Sequence, residues 1–113
     1  MRTENLLNNV DASTQQIGSY TIDCGQDMRW LLMVKSTGLD GVPQLFLEES
    51  TNNVDWVALD NPKTLLNYFP LDDPLINIRD SYFMGKSFRV RVEPNGNTTG
   101  TIYADLVVKT KSN

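Results

Sequence analysis

Strict alternation of apolar and polar side chains is the feature that most constrains the fold of this chain. It is clearest in SFRVRVE, residues 87–93, and in TIYADLVVK, residues 101–109. Successive side chains of an extended strand point to opposite faces, so a two-residue period predicts strands with one buried face. We expect PNGNTTG to join these two strands into a closing hairpin. The expected inward rows are Phe88, Val90, Val92 and Ile102, Ala104, Leu106, Val108.

Weaker versions of the same period precede this ribbon. Tyr20 and Ile22 are expected to face inward, and RWLLMVK, residues 29–35, predicts a strand covered on both faces. Residues 44–49 and 55–59 predict a hairpin, and residues 76–79 a short strand. With Pro62, Pro70 and Pro74 marking a long crossover and no long helix pattern, the sequence predicts an all-β fold. We expect a single antiparallel β-sandwich, jelly-roll or Ig-like, of about seven to eight strands.

The first residues do not fit this period. Residues 1–14 are expected to form an N-terminal arm, and residues 15–113 the sandwich domain. The apolar residues of the arm, Leu6, Leu7 and Val10, have a spacing that predicts one amphipathic helical turn. A turn this short is marginal alone, so it is frayed or it lies on its own domain or a neighbouring copy.

Composition restricts the partners. A chain of 113 residues predicts one compact domain, and a net charge of −4 with a pI near 4.6 argues against nucleic acid. The single Cys24 predicts no disulfide within the chain. The first residues lack the pattern of a signal peptide or anchor, so we expect no membrane partner and assembly in a cytoplasm. The Asn97-Thr98-Thr99 acceptor pattern is interpreted as an accident of turn composition.

Residues for catalysis are scarce. The chain contains no histidine, the usual base near neutral pH and the commonest metal ligand. Glu48 and Glu49 are adjacent in a strand and therefore point to opposite faces. Asp72-Asp73 predicts a solvated acidic turn, with a hydrolase site there as the lowest-ranked hypothesis. We expect no catalytic residues and no enzyme activity.

Metal and cofactor sites are likewise not expected. Five aspartates fall in predicted loops, where hard cations find oxygen ligands, but no D-x-[DN]-x-[DN]-G spacing is present. The glycines are scattered and form no phosphate-binding loop. Calcium is therefore the minor alternative to exposed acids. The aspartates are Asp23, Asp27, Asp40, Asp72 and Asp73.

The loop that ends in a tryptophan is the candidate ligand site. Asn52, Asn53, Asp55 and Trp56 place polar groups beside an aromatic ring, a combination suited to stacking on a sugar. Trp30 lies in the most apolar strand and is expected in the core. Trp56 is also expected in the core, because of its large apolar area, with a solvent-facing position as the alternative.

Three groups of residues are candidate contacts with partner subunits. They are the apolar residues of the arm, an apolar patch in turn context and two arginines on the polar face of a strand. The arginines share that face with Glu93 and are placed to meet Asp105 across the expected hairpin, or else a second subunit. The candidates are Leu6, Leu7, Val10, Tyr82, Phe83, Met84, Arg89 and Arg91.

A resemblance adds to this interpretation. The order S-T-N-N-V-D-W, irregular crossover, S-F-R-V-R-V-E-P-N-G, T-G-T-I-Y-A-D-L-V-V-K resembles small β-sandwich proteins of tailed bacteriophage virions, over Phe46 to Lys109. The polar loop before a tryptophan and the later strand are also similar to discoidin-type carbohydrate-binding modules. The phage resemblance implies a head decoration, head-fibre, spike or neck/tail component, assembled in the host cytoplasm, that forms a homo-oligomer and docks on other virion proteins. The second resemblance implies a glycan-binding module used for surface attachment.

Overall fold

The computed structural model describes residues 2–59, 61–66 and 81–111. Nine β-strands and no helix occur in these residues. The strands are β1 (Arg2–Asp11), β2 (Gln16–Thr21), β3 (Asp27–Thr37), β4 (Gln44–Ser50), β5 (Trp56–Ala58), β6 (Lys63–Thr64), β7 (Ser81–Tyr82), β8 (Ser87–Glu93) and β9 (Thr101–Thr110). The strand expected at residues 76–79 and the Asp72-Asp73 pair lie outside the described residues.

The strands form two antiparallel sheets that pack face to face. The first sheet has the order β1-β9-β3-β7, and the second has the order β2-β8-β4-β5, with β6 also pairing with β4. Apart from the two-residue β6, these are eight strands with the pairing of a jelly roll, in which the early strands lie beside the late ones in both sheets. The predicted all-β antiparallel sandwich is therefore confirmed. No helix in the described ranges has the length and hydropathy to span a membrane.

The core lies between the sheets, where the alternation placed it. Both inward rows predicted for β8 and β9 are buried, and Trp30 packs on Phe88 with 4.8 Å between ring centroids. Each large side chain contributes roughly 1.5–3 kcal/mol when it is fully buried. The rows that fill the core are Trp30, Leu32, Val34 from β3, Leu45, Leu47 from β4, Phe88, Val90, Val92 from β8 and Ile102, Ala104, Leu106, Val108 from β9.

The expected closing hairpin is wrong. Strand β8 pairs with β2 and β4, whereas β9 pairs with β1 and β3 in the other sheet. Residues 94–100 carry the chain across the roughly 10 Å between packed sheets. Turn-forming residues thus indicated a reversal of direction but not which strands pair. Because β8 and β9 lie in different sheets, Asp105 is not opposite Arg89 and Arg91 as expected. It accepts a hydrogen bond from Asn5 of β1 instead (2.9 Å).

The amphipathic turn expected near the N-terminus is also wrong, because Arg2–Asp11 is strand β1 of the first sheet. Leu7 is buried in the core, and Leu6 and Val10 pack against it. The pairing with β9 shifts register between Asn5 and Leu7 and again between Leu7 and Val10. Such bulges interrupt the two-residue period, and the resulting spacing imitates a helical one.

Side-chain hydrogen bonds and a close backbone contact hold β1 and β2 in the sandwich. Arg2 donates a hydrogen bond to Asp27 (2.8 Å) and another to the hydroxyl of Tyr20, which itself donates to Asp27. Burial, followed by the hydrogen bond and charge of Asp27, raises the pKa of Tyr20 to about 12, so its donor proton stays in place. A Cβ on Gly18 would lie 2.4 Å from the carbonyl oxygen of Leu6. Only glycine permits this approach.

Strand β3 is covered on one face only by the described strands. Its inner residues are buried, but Leu31 and Met33 are half-buried on the outer face of the first sheet. Val107 of β9 lies directly opposite Leu31 in the ladder and shares that face. We call Leu31, Met33 and Val107 the apolar stripe. The expectation of a strand covered on both faces therefore differs from the structure, in which no described strand packs on this side.

Candidate functional site

The loop between β4 and β5 is held mainly by its own polar groups. The hydroxyl of Ser50 accepts the N–H groups of Asn52 (3.2 Å) and Asn53 (2.8 Å). The side-chain oxygen of Asn52 accepts those of Val54 (2.9 Å) and Asp55 (2.8 Å), and its amide donates to the Asp55 carboxylate. Asn53 has a φ of 63°, in the left-handed region. The predicted hairpin of β4 and β5 is confirmed.

Trp56 lies on the outer face of the second sheet, and its expected place in the core is wrong. It pairs with Ser50, which pairs on its other side with Ser87. Ser87 precedes the inward Phe88, so this row of the sheet points outward. The guanidinium carbon of Arg89 lies 4.1 Å from the centroid of the half-buried Trp56 ring. One face of the ring is therefore occupied within the chain.

Arg89 and Arg91 flank the Glu48 carboxylate on this outer face. Their Nε atoms lie 2.8 Å and 3.3 Å from its Oε1, and Arg91 also stacks on Phe46, 4.0 Å from the ring centroid. Burial raises the pKa of Glu48, but the hydrogen bonds and charges of the two arginines outweigh it and hold the pKa below its usual range. Both candidate contacts thus have charge partners inside the chain.

A cavity of about 350 Å³ opens where β4 ends. It brings together residues that the sequence placed in two separate groups: Asn52 and Asp55 of the candidate ligand loop, and Met84 of the candidate partner patch. We call it the Glu49 pocket. Its lining is Glu49, Ser50, Thr51, Asn52, Asp55, Val57, Leu59, Met84 and Gly85.

Glu49 is the unusual residue of this pocket. Its exposed fraction is 5%, and its Oε1 accepts the N–H groups of Met84 (2.9 Å) and Gly85 (2.6 Å). Its Oε2 is buried and has no hydrogen-bond partner in the part of the chain that the structure describes. A Cβ on Gly85 would lie 2.7 Å from the carbonyl oxygen of Ser50, so this position requires glycine. Glu48 and Glu49 point to opposite faces, as predicted.

Glu49 was not predicted as a site residue, although the sequence contains a signal for it. Leu45, Leu47 and Glu49 are in phase along β4, and Glu49 pairs with the buried Phe88. A carboxylate that continues an inward apolar row is a buried carboxylate, which is rare unless it is paired.

The rim of the Glu49 pocket is apolar and its charges are acidic. Val57 and Met84 are 66% and 85% exposed, and the neighbouring Val54 is 75% exposed. Among the described lining residues two are charged, Glu49 and Asp55, and both are acids. Phe83, by contrast, packs on the core with its ring against Tyr20 and Phe88. The side chain of Tyr82 lies outside the described residues.

The loop aspartates considered for calcium have other roles. Asp27 binds Arg2, Asp40 accepts hydrogen bonds from Thr98, and Asp23 accepts the N–H of Gly25. Among residues 2–59, 61–66 and 81–111, no three or more His, Cys, Asp or Glu side chains are grouped so as to hold a metal ion. Asp72 and Asp73 are outside these ranges.

Near the other end of β4, Asn97 has a similar arrangement to Glu49: its side-chain oxygen accepts two consecutive backbone N–H groups. Its side-chain oxygen accepts the N–H groups of Asp40 (3.0 Å) and Gly41 (2.8 Å). Its amide donates to the carbonyl oxygens of Ala12 (3.0 Å) and Thr99 (2.7 Å), and the residue is 2% exposed. The nitrogen of the glycosylation pattern is therefore engaged inside the folded chain.

The geometry defines a jelly-roll domain with a small acidic pocket at one end. Comparison with protein-family models, with curated proteins and with solved structures found no match.

Proposed function

We propose that this chain is a non-enzymatic structural protein of a tailed bacteriophage virion. In this role it serves as a head decoration, head-fibre, spike or neck/tail component, and it acts by self-association and by docking on other virion proteins. Two observations support the proposal by analogy: the jelly-roll pairing, a topology used by viral capsid domains, and the resemblance of residues 46–109 to virion β-sandwiches.

The apolar stripe is the physical observation that carries the proposal. Leu31 and Met33 alternate with buried residues of β3 and form an apolar section on its outer side, between Arg29 and Lys35. Burying such a face against a second surface removes apolar area from water and is favourable by roughly 25 cal/mol per Å². The first sheet has this face open in the described residues, so a second copy of the chain, in a symmetric homo-oligomer, is the proposed cover.

Measurement of mass by native mass spectrometry and light scattering tests the proposal. We expect the wild-type chain to be oligomeric at micromolar concentration. The double variant Leu31→Lys, Met33→Lys should be monomeric and folded, because both changes are on an outer face. Ile17→Lys is the matched control: Ile17 is 46% exposed on the outer face of the second sheet, and this variant should keep the wild-type mass.

Two results would contradict the proposal. One is a monomeric wild type at high micromolar concentration, and the other is an unchanged mass for the double variant. The virion assignment has a separate test, since mass spectrometry of purified particles should detect the chain among the particle proteins. Its absence from particles with an oligomeric wild type would leave self-association standing and remove the virion role.

Glycan binding is the second candidate, favoured by the outward position of Trp56 and by the use of jelly rolls in lectins. The polar groups of the loop bond to one another, and Arg89 covers one ring face, so the loop offers the free face of Trp56 as its main stacking surface. A glycan array with wild type and Trp56→Ala checks this prediction. Binding that disappears in a folded Trp56→Ala variant would support it, and a silent wild type would remove it.

A further inference from the structure

We propose that the Glu49 pocket binds a cationic side chain, lysine or arginine, presented by a partner polypeptide. The Oε2 atom of Glu49 is buried, and no donor from the described residues reaches it. Leaving such an acceptor unsatisfied is unfavourable, and more so when it is charged. A donor that enters the pocket and reaches this carboxylate would recover that loss.

The chemistry of the lining selects the kind of donor. Glu49 and Asp55 favour a cation, and the lining residues that the structure describes include no lysine or arginine to compete with it. Val57, Leu59 and Met84 offer apolar contacts to whatever carries that cation. Lysine and arginine combine a charged head with an apolar stem, so they satisfy both requirements at once.

The surroundings favour a polypeptide over a small amine. The apolar rim continues beyond the cavity through Val54, which is 75% exposed, and exposed apolar surface around a pocket is typical of protein contacts. The net charge of −4 also favours a basic partner. The pocket is at the end of the sandwich and does not include the apolar stripe, so this inference is independent of self-association.

Nuclear magnetic resonance titration of the ¹⁵N-labelled full chain tests the inference with defined probes. The probes are capped tripeptides, acetyl-Ala-Lys-Ala-amide and acetyl-Ala-Arg-Ala-amide. The matched control is acetyl-Ala-norleucine-Ala-amide, which has the lysine stem without its ammonium group. We expect saturable shifts at the N–H groups of Met84 and Gly85, with the cationic peptides binding about tenfold or more tightly than the control.

Variants locate the interaction. Glu49→Gln keeps an oxygen for Met84 and Gly85 but removes the charge, and it should weaken the cationic peptides about tenfold. Glu4→Gln removes an exposed carboxylate of β1 and should leave binding unchanged. Met84→Ser alters a side chain that is 85% exposed, so folding should survive while binding of all three peptides weakens a few-fold. This last variant keeps the test valid if Glu49→Gln fails to fold.

Several outcomes would overturn the inference. They are equal affinity for the lysine and norleucine peptides, no binding of any peptide, and unchanged binding by a folded Glu49→Gln. Butylammonium that binds when neither cationic peptide does would identify a small amine as the occupant and exclude the polypeptide. A chain in which Leu31→Lys, Met33→Lys abolishes the oligomer but keeps peptide binding separates this proposal from the previous one.

Discussion

Both ends of β4 have a buried side chain that accepts two backbone N–H groups, but the two side chains differ in how completely they are hydrogen-bonded. At one end the side-chain oxygen of Asn97 accepts two consecutive backbone N–H groups, and at the other the Oε1 of Glu49 does the same. Asn97 then donates its amide to two carbonyl oxygens, so its hydrogen bonding is complete. The second oxygen of Glu49 has no partner among the described residues, and the Glu49 residue lines a cavity. We call these the Asn97 end and the Glu49 end.

The difference indicates that Asn97 stabilises the fold, whereas Glu49 is suited to binding. A buried polar group that is fully bonded fixes its surroundings, whereas a partly bonded one costs free energy and is retained for another reason. An asparagine supplies both donors and acceptors, so it can bridge N–H and carbonyl groups of the chain. A glutamate side chain has no amide group to donate, and at the Glu49 end no described residue donates to its second oxygen.

Exchange of the two chemistries should give the largest effect. Asn97→Asp keeps the acceptor but loses both donors, which leaves the carbonyl oxygens of Ala12 and Thr99 buried beside a carboxylate. We expect a loss of about 3 kcal/mol in the free energy of unfolding by urea. Glu49→Gln, measured in the same way, should change it by less than about 1 kcal/mol. Equal losses at both ends would break the comparison.

Substitutions of the glycines that donate their N–H groups in these bonds should differ in free energy of unfolding by a smaller amount. A Cβ on Gly85 would lie 2.7 Å from a backbone oxygen, whereas one on Gly41 would lie 3.1 Å from the nearest atom, the Cα of Asn97. Gly85→Ala should therefore lose about 2 kcal/mol by thermal or urea unfolding, and Gly41→Ala about 1 kcal/mol. A larger loss for Gly41→Ala would show that the Asn97 end is the more rigid of the two.

The smallest effect concerns pH at the Asn97 end. The hydroxyl of Thr98, and then its N–H, donates to Asp40 and lowers the pKa of that carboxyl. The stabilisation is thus complete above the unfolded pKa, about 4, and is lost as the pH falls through the lower folded value. The difference in unfolding free energy between wild type and Asp40→Asn should be constant above about pH 5 and shrink in more acidic solution. Thr98→Val should reduce this pH dependence, and a difference that grows on acidification would contradict it.

The sequence correctly predicted the strands in which alternate side chains all face the core. The rows of β8 and β9 were predicted because their two-residue period is uninterrupted and burial enforces the register. It failed where the answer depends on pairing across the molecule: β1, whose bulges imitate a helical spacing, and the connection after β8, which crosses between sheets. Turn residues and local spacing carry no information on which distant strand is the neighbour.

The site was predicted only in part for the same reason. Asn52, Asp55 and Met84 were singled out from local composition, and the structure places them around one cavity. Their common neighbour Glu49 was not predicted as a site residue: its phase with Leu45 and Leu47 indicates burial, but the local sequence does not show that one of its oxygens would lack a donor among the described residues. Arg89 was correctly expected on the polar face of its strand, but Trp56 was expected in the core, so their contact on one outer face was not predicted.

The only cysteine of the chain gives the Glu49 end a built-in reporter. Cys24 is exposed, and its sulfur lies 3.8 Å from the carbonyl oxygen of Gly85, the residue whose N–H binds Glu49. A thiol-reactive fluorophore would thus attach at a single position next to the cavity without any engineered substitution. Its emission would follow occupancy of that end in the native sequence, at concentrations far below those that a resonance titration needs.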